Sequence, residues 1–181
     1  ARHKPFTVVP DGLHQDPGAL RGSVVAIGNF EGVHRGHCVV IDKAIGLARS
    51  LGRPAAVLTF EPHPRAFFRP EEPVFRLSDE CAKVRLLEAT ELDGVIFLRF
   101  DQELAGLAAE DFVNQVLCDR LAISGAVIGF DFHFGKGRKG SPEFLTAYSA
   151  ALFGSVRLHC LKTVLSELSR TSPAGNRSAQ A

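Results

Sequence analysis

Two histidines three positions apart follow an apolar run that ends in glycine. His34 and His37 belong to the segment GNFEGVHRGH at residues 28–37. If this segment begins a helix, residues three apart lie on one face, so both imidazoles point to the same side. A helix N-terminus attracts anions, and two imidazoles there can donate hydrogen bonds to a phosphate group. The alternatives are a surface pair or a zinc site, but zinc needs further ligands, and the other His and Cys residues are scattered.

Two further segments are rich in residues that recognise anions and flat rings. Residues 59–65 read TFEPHPR, and residues 129–140 read GFDFHFGKGRKG. In the second segment three phenylalanines alternate with Asp131 and His133, so an extended backbone places the three rings on one face. The basic, glycine-rich continuation could hold a phosphate group. The alternative is a core strand followed by a solvated loop.

The elements that must position these segments are short apolar runs alternating with helical stretches. The runs predict strands at residues 23–30, 55–60, 94–100, 126–130 and 156–161, with a short strand at 6–9. Strands that are apolar throughout and alternate with helices indicate a parallel sheet covered on both faces. We therefore predict an α/β fold with about five parallel strands. In such sheets ligands bind beyond the carboxyl ends of the strands, which is where the three polar segments lie. Prolines favour a loop from Pro62 to about residue 77.

Length and composition restrict the class of protein. The chain has 181 residues, of which 45% are hydrophobic and 23% charged, with a net charge of +1. These values indicate one globular domain and exclude a disordered chain. The near-zero charge gives no general attraction to nucleic acid or membranes, and we expect neither as a partner. The four cysteines are widely separated, the apolar runs are too short to span a membrane, and the N-terminus lacks a secretory signal. We therefore expect a cytoplasmic protein with reduced thiols.

The three polar segments together resemble a known enzyme family. GNFEGVHRGH resembles the G-N-F-D-G-V-H-x-G-H signature of prokaryotic FAD synthetases, the adenylyltransferase half of bifunctional riboflavin kinase/FAD synthetases. TFEPHP is similar to the family's T-F-D/E-P-H-P, and GFDFHFG with Arg138 and Gly140 is similar to G-x-D/N-F-x-F-G-x-x-R-x-G. Arg76 and Leu77, followed by Lys83, resemble a further motif, although Ala82 replaces its Glu. The resemblance covers residues 23–155 and implies a Rossmann-like nucleotidyltransferase fold.

The resemblance implies a reaction in which FMN and ATP give FAD and pyrophosphate, with Mg²⁺ as cofactor. His34 and His37 would be catalytic, stabilising charge on the α-phosphate and the leaving pyrophosphate. The residues expected to bind ATP are Gly28, Asn29, Phe30, Gly36 and His37. Those expected to bind the flavin are Pro62, His63, Pro64, Phe132, Phe134, Gly135 and Arg138. Glu61 and Asp131 would hold magnesium, which favours one or two carboxylates together with substrate phosphates.

Some of these assignments have ordinary structural alternatives. Asn29 could be only a turn residue at a strand end, and Glu61 only a loop carboxylate. For Phe132 and Phe134, packing in the core is as good an interpretation as contact with the flavin. Aromatic side chains at Phe67 and Phe68 allow the same two interpretations.

The C-terminal segment departs from the family pattern. The family carries a Ser, a Ser or Thr and, further on, an Arg that hold ATP phosphates; after residue 161 this chain has those residue types in a different order. We expect residues 1–22 to be a lead-in segment, 23–161 the nucleotidyltransferase domain, and 162–181 an atypical, disordered tail too short for the riboflavin kinase domain of full-length relatives. Glu31 also replaces the family's Asp. Because the phosphate motif departs from the family pattern, the alternative function is a catalytically impaired module that binds flavin or nucleotide.

Overall fold

The protein forms a six-stranded, entirely parallel sheet, with the strands in the order β1-β4-β3-β2-β5-β6. The computed structural model describes residues 4–33, 35–72, 79–129, 131–151 and 157–160. The strands are β1 (Thr7–Val9), β2 (Val24–Ile27), β3 (Ala55–Glu61), β4 (Gly94–Arg99), β5 (Gly125–Ile128) and β6 (Arg157–Cys160). The predicted α/β class and parallel sheet are confirmed. The sixth strand is the predicted short strand of the lead-in segment, which pairs with β4.

Helices connect the strands and cover both faces of the sheet. They are α1 (Arg35–Leu51), α2 (Pro64–Phe68), α3 (Glu80–Glu88), α4 (Gln102–Gly106), α5 (Ala109–Asp111), which continues as a π-helix (Phe112–Arg120), and α6 (Pro142–Ala151). Among the described residues, no helix is both long and apolar enough to cross a lipid bilayer.

The two faces of the sheet bury two separate apolar clusters. Alternate residues of the central strands, such as Val57 and Phe97, pack against α1 on one face. Their neighbours, such as Leu58 and Leu98, pack against the π-helix and Leu145 of α6 on the other. Since successive side chains of a strand point to opposite faces, a strand covered on both sides must be apolar throughout. This explains the continuous apolar runs in the sequence.

The segment after β3 differs from the predicted loop. Residues Pro64–Phe68 form the short helix α2. Proline is well suited to the first turn of a helix because its missing N–H is not needed there, and the His63 side chain caps the helix by accepting a hydrogen bond from the Arg65 backbone N–H. The prolines therefore start a helix at this point in addition to interrupting the chain. Arg76 and Leu77 lie outside the described residues.

The strand order brings three polar segments to one edge of the sheet. Strand β2 lies between β3 and β5, and the register pairs Ile27 with Leu58 on one side and with Ile128 on the other. Because all three strands are parallel, the segments that follow them leave the sheet at neighbouring points. This is the position at which open α/β sheets bind ligands.

Candidate active site

A cleft of about 760 Å³ opens beyond the carboxyl ends of β2, β3 and β5. It is lined by most of the residues predicted from the sequence: Gly28, Asn29, Phe30, His37, His63, Pro64, Asp131, Phe132, Phe134, Gly135 and Arg138. Gly36, Glu61 and Pro62 are not among the lining residues, and His34 lies outside the described residues. Three chain segments separated in sequence therefore meet around one cavity.

The loop between β2 and α1 has a constrained backbone. Phe30 has a φ of 50° and Gly32 a φ of 68°, both in the left-handed region, which a residue other than glycine seldom adopts. The Phe30 side chain is only 1% exposed and packs edge-on against the His37 ring, with 5.1 Å between the centroids. Burial of Phe30 thus fixes both the loop and the orientation of His37 at the cleft.

Asn29 is held through its backbone carbonyl. The Thr59 hydroxyl donates a hydrogen bond to this carbonyl at 3.1 Å, and the Lys83 ammonium donates another at 2.9 Å. The Asn29 side-chain oxygen is buried and accepts no hydrogen bond from the part of the chain that the structure describes. Asn29 lines the cleft, so its backbone is anchored at the position where the sequence predicts ATP binding.

His63 is held in a defined tautomer next to the start of α2. Its Nδ1 accepts a hydrogen bond from the Arg65 backbone N–H at 3.1 Å, so the hydrogen of the neutral ring is on Nε2. Burial lowers the pKa of His63 below its ordinary value, and the nearby carboxylate of Glu31 only partly opposes that effect. His63 is therefore suited to act as an uncharged hydrogen-bond donor.

One part of the cleft is built from aromatic rings. Phe60 lies nearly parallel to Phe132, with centroids 6.2 Å apart, and Phe132 lies nearly parallel to Phe134 at 6.1 Å. Phe134 is only 7% exposed and belongs to the core, whereas Phe68 is 63% exposed at the cleft. Core packing therefore accounts for most of the Phe134 ring, and Phe68 offers the larger accessible ring surface. Phe130 lies outside the described residues.

The basic loop after Phe134 is anchored at both ends. Phe134 and Gly140 exchange backbone hydrogen bonds, and the Lys136 N–H donates to the Leu107 carbonyl at 2.7 Å. Gly135 has a φ of 75°, and a Cβ atom there would lie 2.7 Å from the backbone of Ala109, so glycine is required. The anchored loop places Arg138, but not Lys136, among the residues that line the cleft.

The predicted metal ligands are placed differently from each other. Asp131 is exposed and lines the cleft, whereas Glu61 is half-buried at the end of β3 and does not line it. The described residues contain no group of three His, Cys, Asp or Glu side chains that could hold a metal ion. One accessible carboxylate fits a magnesium ion that is held mainly by substrate phosphates; it does not fit a site made by the protein alone.

Sequence reasoning missed several residues of the cleft. The additional lining residues include Phe60, Arg65, Arg69, Phe100, Leu104, Phe112 and His133. Arg65 and Arg69 each pair with the carboxylate of Glu72, at 3.1 and 3.2 Å. Arg65 lies in α2 and Arg69 directly follows it, so their position at the cleft depends on the helix that starts at Pro64. Phe100 and Phe112 come from the neighbourhood of β4 and from the π-helix, which carry no motif.

Comparison with known proteins supplies the family. A family model described as FAD synthetase matches residues 16–171. The chain belongs to the FAD synthetase family. Its curated relatives include bifunctional riboflavin kinase/FMN adenylyltransferases from Pseudomonas fluorescens, 42% identical over 74% of this chain and 43% of that protein, and from Haemophilus influenzae, 38% identical over 76% of this chain and 45% of that protein.

A relative of the same description from Escherichia coli is 36% identical over 72% of this chain and 41% of that protein. The chain thus spans less than half the length of these curated members of the FAD synthetase family. Among solved structures, one described as a macrolide-efflux protein from Streptococcus pneumoniae matches with a TM-score of 0.71 and 26% identity. That match covers 86% of this chain and 52% of the other.

Proposed function

We propose that this chain is an FMN adenylyltransferase, which transfers AMP from ATP to FMN and releases pyrophosphate. The observation that carries the proposal is the cleft itself, where the segments that resemble the family motifs meet at the carboxyl ends of three adjacent strands. The relatives are named for this activity. The substrates are small molecules, and neither nucleic acid nor a membrane is required.

The cleft has two sides with different chemistry. We define the nucleotide side as the segment 28–37, with the ATP-binding candidates Gly28, Asn29, Phe30, Gly36 and His37. We define the flavin side as residues 62–69, which include α2, together with the segment 131–138. It contains the candidates Pro62, His63, Pro64, Phe132, Phe134, Gly135 and Arg138. The accessible ring of Phe68 suits stacking against a flat heterocycle, and the uncharged donor of His63 suits a ring carbonyl or nitrogen.

The proposed reaction needs no activated nucleophile from the protein. The phosphate of FMN is already an anion at neutral pH, so the main tasks are to align it with the α-phosphate of ATP and to neutralise developing charge. His37 is oriented by Phe30 for this purpose, and His34 is the second donor proposed from the sequence. Mg²⁺ would neutralise charge on the ATP phosphates; Asp131 and Glu61 are the residues that would hold the ion.

A second candidate is a module that binds flavin or nucleotide but is catalytically impaired. It is favoured by the order of Ser, Thr and Arg residues after position 161, which differs from the family's phosphate-binding motif. Loss of two or three hydrogen bonds to charged phosphate would weaken ATP binding by about 100-fold or more, since each contributes roughly 1.5–3 kcal/mol. The impaired module would bind FMN yet need a very high ATP concentration for any turnover.

An assay for FAD formation separates the two candidates. Purified protein is incubated with FMN, ATP and Mg²⁺, and FAD and pyrophosphate are quantified by chromatography and a coupled assay. Matched controls omit ATP, replace FMN by riboflavin, or replace Mg²⁺ by a chelator. Equal amounts of FAD and pyrophosphate at low millimolar ATP support the adenylyltransferase. Binding of FMN with FAD formed only at much higher ATP concentrations, or not formed at all, supports the impaired module instead.

The proposed setting of the protein follows from the same chemistry. Exposed thiols at Cys38 and Cys81 suit a reducing compartment, and we propose that the chain acts in the cytoplasm, where ATP is available. The relatives' names also include riboflavin kinase; this activity produces FMN, the proposed flavin substrate. A functional link to a riboflavin kinase domain is therefore part of the proposal.

A further inference from the structure

Lys83 is a charged side chain buried completely behind the cleft. The residue is 0% exposed, and it is not among the residues that line the cavity. Transfer of an ammonium group from water to the protein interior is unfavourable unless close partners compensate for the lost hydration. The partners of Lys83 therefore indicate what the charge does in this fold.

The Lys83 ammonium contacts two residues of a single loop. Its ammonium donates to the Asn29 carbonyl at 2.9 Å and lies 3.5 Å from a carboxylate oxygen of Glu31. The Asn29 carbonyl receives a second hydrogen bond from Thr59. Between these two anchored residues lies Phe30, with its left-handed backbone. Lys83 thus joins helix α3 to the most constrained part of the nucleotide side.

Helix α3 does not need this ammonium in order to dock. Its first turn is capped by Asp79, whose side chain accepts a hydrogen bond from the Ala82 backbone N–H. Leu87 is fully buried in the cluster on the α1 face of the sheet, and Val84 packs against that cluster. An apolar side chain at position 83 would suit such an environment better than a charge does. The contacts of the Lys83 ammonium with the loop after β2 therefore explain why a charged residue occupies this position.

We propose that Lys83 is a positioning residue for the nucleotide side, acting through Asn29 and Glu31. Its ammonium holds the backbone of residues 28–33 so that the Asn29 side chain faces the cleft and α1 begins where His37 can reach a phosphate. The expected effect of Lys83 on catalysis rests on the proposed function. Its expected effect on the backbone of residues 28–33 does not. Lys83 itself contacts no substrate.

The test compares variants of the full chain that differ in this interaction. Lys83→Met removes the charge and keeps an unbranched side chain, and Lys83→Met/Glu31→Gln avoids leaving a buried carboxylate without its cation. Thr59→Val removes only the second donor to the Asn29 carbonyl. Arg85→Met is the matched control, because Arg85 is an exposed cation on the same helix. Lys83→Arg tests whether a different cation can also hold the loop.

Two readouts are measured on each folded variant. Hydrogen–deuterium exchange reports on the amides of residues 28–33, and steady-state kinetics give separate KM values for ATP and FMN together with kcat. We expect Lys83→Met and the double variant to exchange faster in this loop and to raise the KM for ATP about 10- to 100-fold, the effect of losing a hydrogen bond to a charged donor. The KM for FMN should change by less than about twofold. Thr59→Val should shift both readouts in the same direction but less, and Lys83→Arg should restore them in part.

Unchanged exchange in residues 28–33, or equal increases in the KM values for ATP and FMN, would overturn the proposal. A loss of stability alone, with wild-type kinetics at a temperature where the variant is folded, would overturn it as well. If Lys83→Met does not fold, Thr59→Val and the double variant decide by the same criteria. If the wild-type protein makes no FAD, the proposed function fails; the exchange data, with calorimetric titration of ATP, still decide the role of Lys83.

Discussion

The nucleotide side of the cleft is anchored by buried groups, whereas the flavin side presents exposed ones. Phe30 and Lys83 are at most 1% exposed and together fix the loop after β2. On the other side, Phe68 is 63% exposed, and Arg65 and Arg69 are both exposed side chains paired with Glu72. On the nucleotide side, contacts within the protein therefore fix the position of the binding groups. On the flavin side, the ligand has more influence on their position.

This difference fits the chemistry that each side is proposed to perform. Phosphate transfer requires that donors be held within a fraction of an ångström of the developing charge before the reaction begins. A flat ring bound by stacking tolerates small displacements, and much of its binding comes from burial of apolar surface when it arrives. Substitutions on the nucleotide side should therefore affect folding and turnover, while those on the flavin side should affect mainly flavin affinity.

The largest expected difference between the two sides is in stability. We expect Phe30→Ala to lower the free energy of unfolding by about 3–5 kcal/mol, as for other buried Phe residues. Phe68→Ala should change it by no more than about 0.5 kcal/mol, because that ring is mostly exposed. Urea denaturation of the two variants measures both values. Similar losses in the two proteins would show that the flavin side is as tightly packed as the nucleotide side.

The next largest effect is expected on turnover at His37. His37→Ala removes a donor that gains strength as charge develops, so kcat should fall about 10²–10³-fold, while the dissociation constant for ATP changes little. His34→Ala should behave in the same way. His14→Ala is the control, because His14 pairs with Asp11 and Glu103 and does not line the cleft. A weaker ATP affinity with an unchanged kcat would assign His37 to ground-state binding alone.

The sheet and the motif-bearing segments could be predicted from the sequence because their signals are local. Apolar runs gave the strands of the central sheet, and the histidine and phenylalanine patterns marked the strand ends. The role of Lys83 could not be predicted physically, since its partner Asn29 is 54 residues away and burial of a lysine has no local signature. Helix α2 was missed because prolines both end and start helices, and only the His63 cap distinguishes the two cases.

The third prediction concerns flavin affinity. Phe68→Ala should weaken FMN binding about 5- to 10-fold, since an aromatic contact contributes roughly 1 kcal/mol beyond burial of apolar surface. Binding of ATP should remain unchanged. Phe67→Ala provides a matched control on the same helix, because Phe67 contacts Phe68 and Phe100 but does not line the cleft. FMN fluorescence quenching measures all three proteins, and equal weakening in both variants would remove the special role of Phe68.

The smallest expected effect is a pH dependence that comes from His63. Burial lowers the pKa of His63 below its ordinary value of 6.5, so between these two pKa values the unfolded chain binds a proton that the folded chain does not. Stability contributed by neutral His63 is therefore complete above pH 6.5 and is lost as the pH falls toward the folded-state pKa. The Tm of the wild-type protein should fall relative to that of His63→Gln when the pH is lowered from 8 to 5.5. Comparing the two proteins cancels other groups, including His14, whose pKa is raised by Asp11. A Tm difference that stays constant over this pH range would show that His63 is hydrated in the folded protein, and the flavin side would then lack its uncharged donor at low pH.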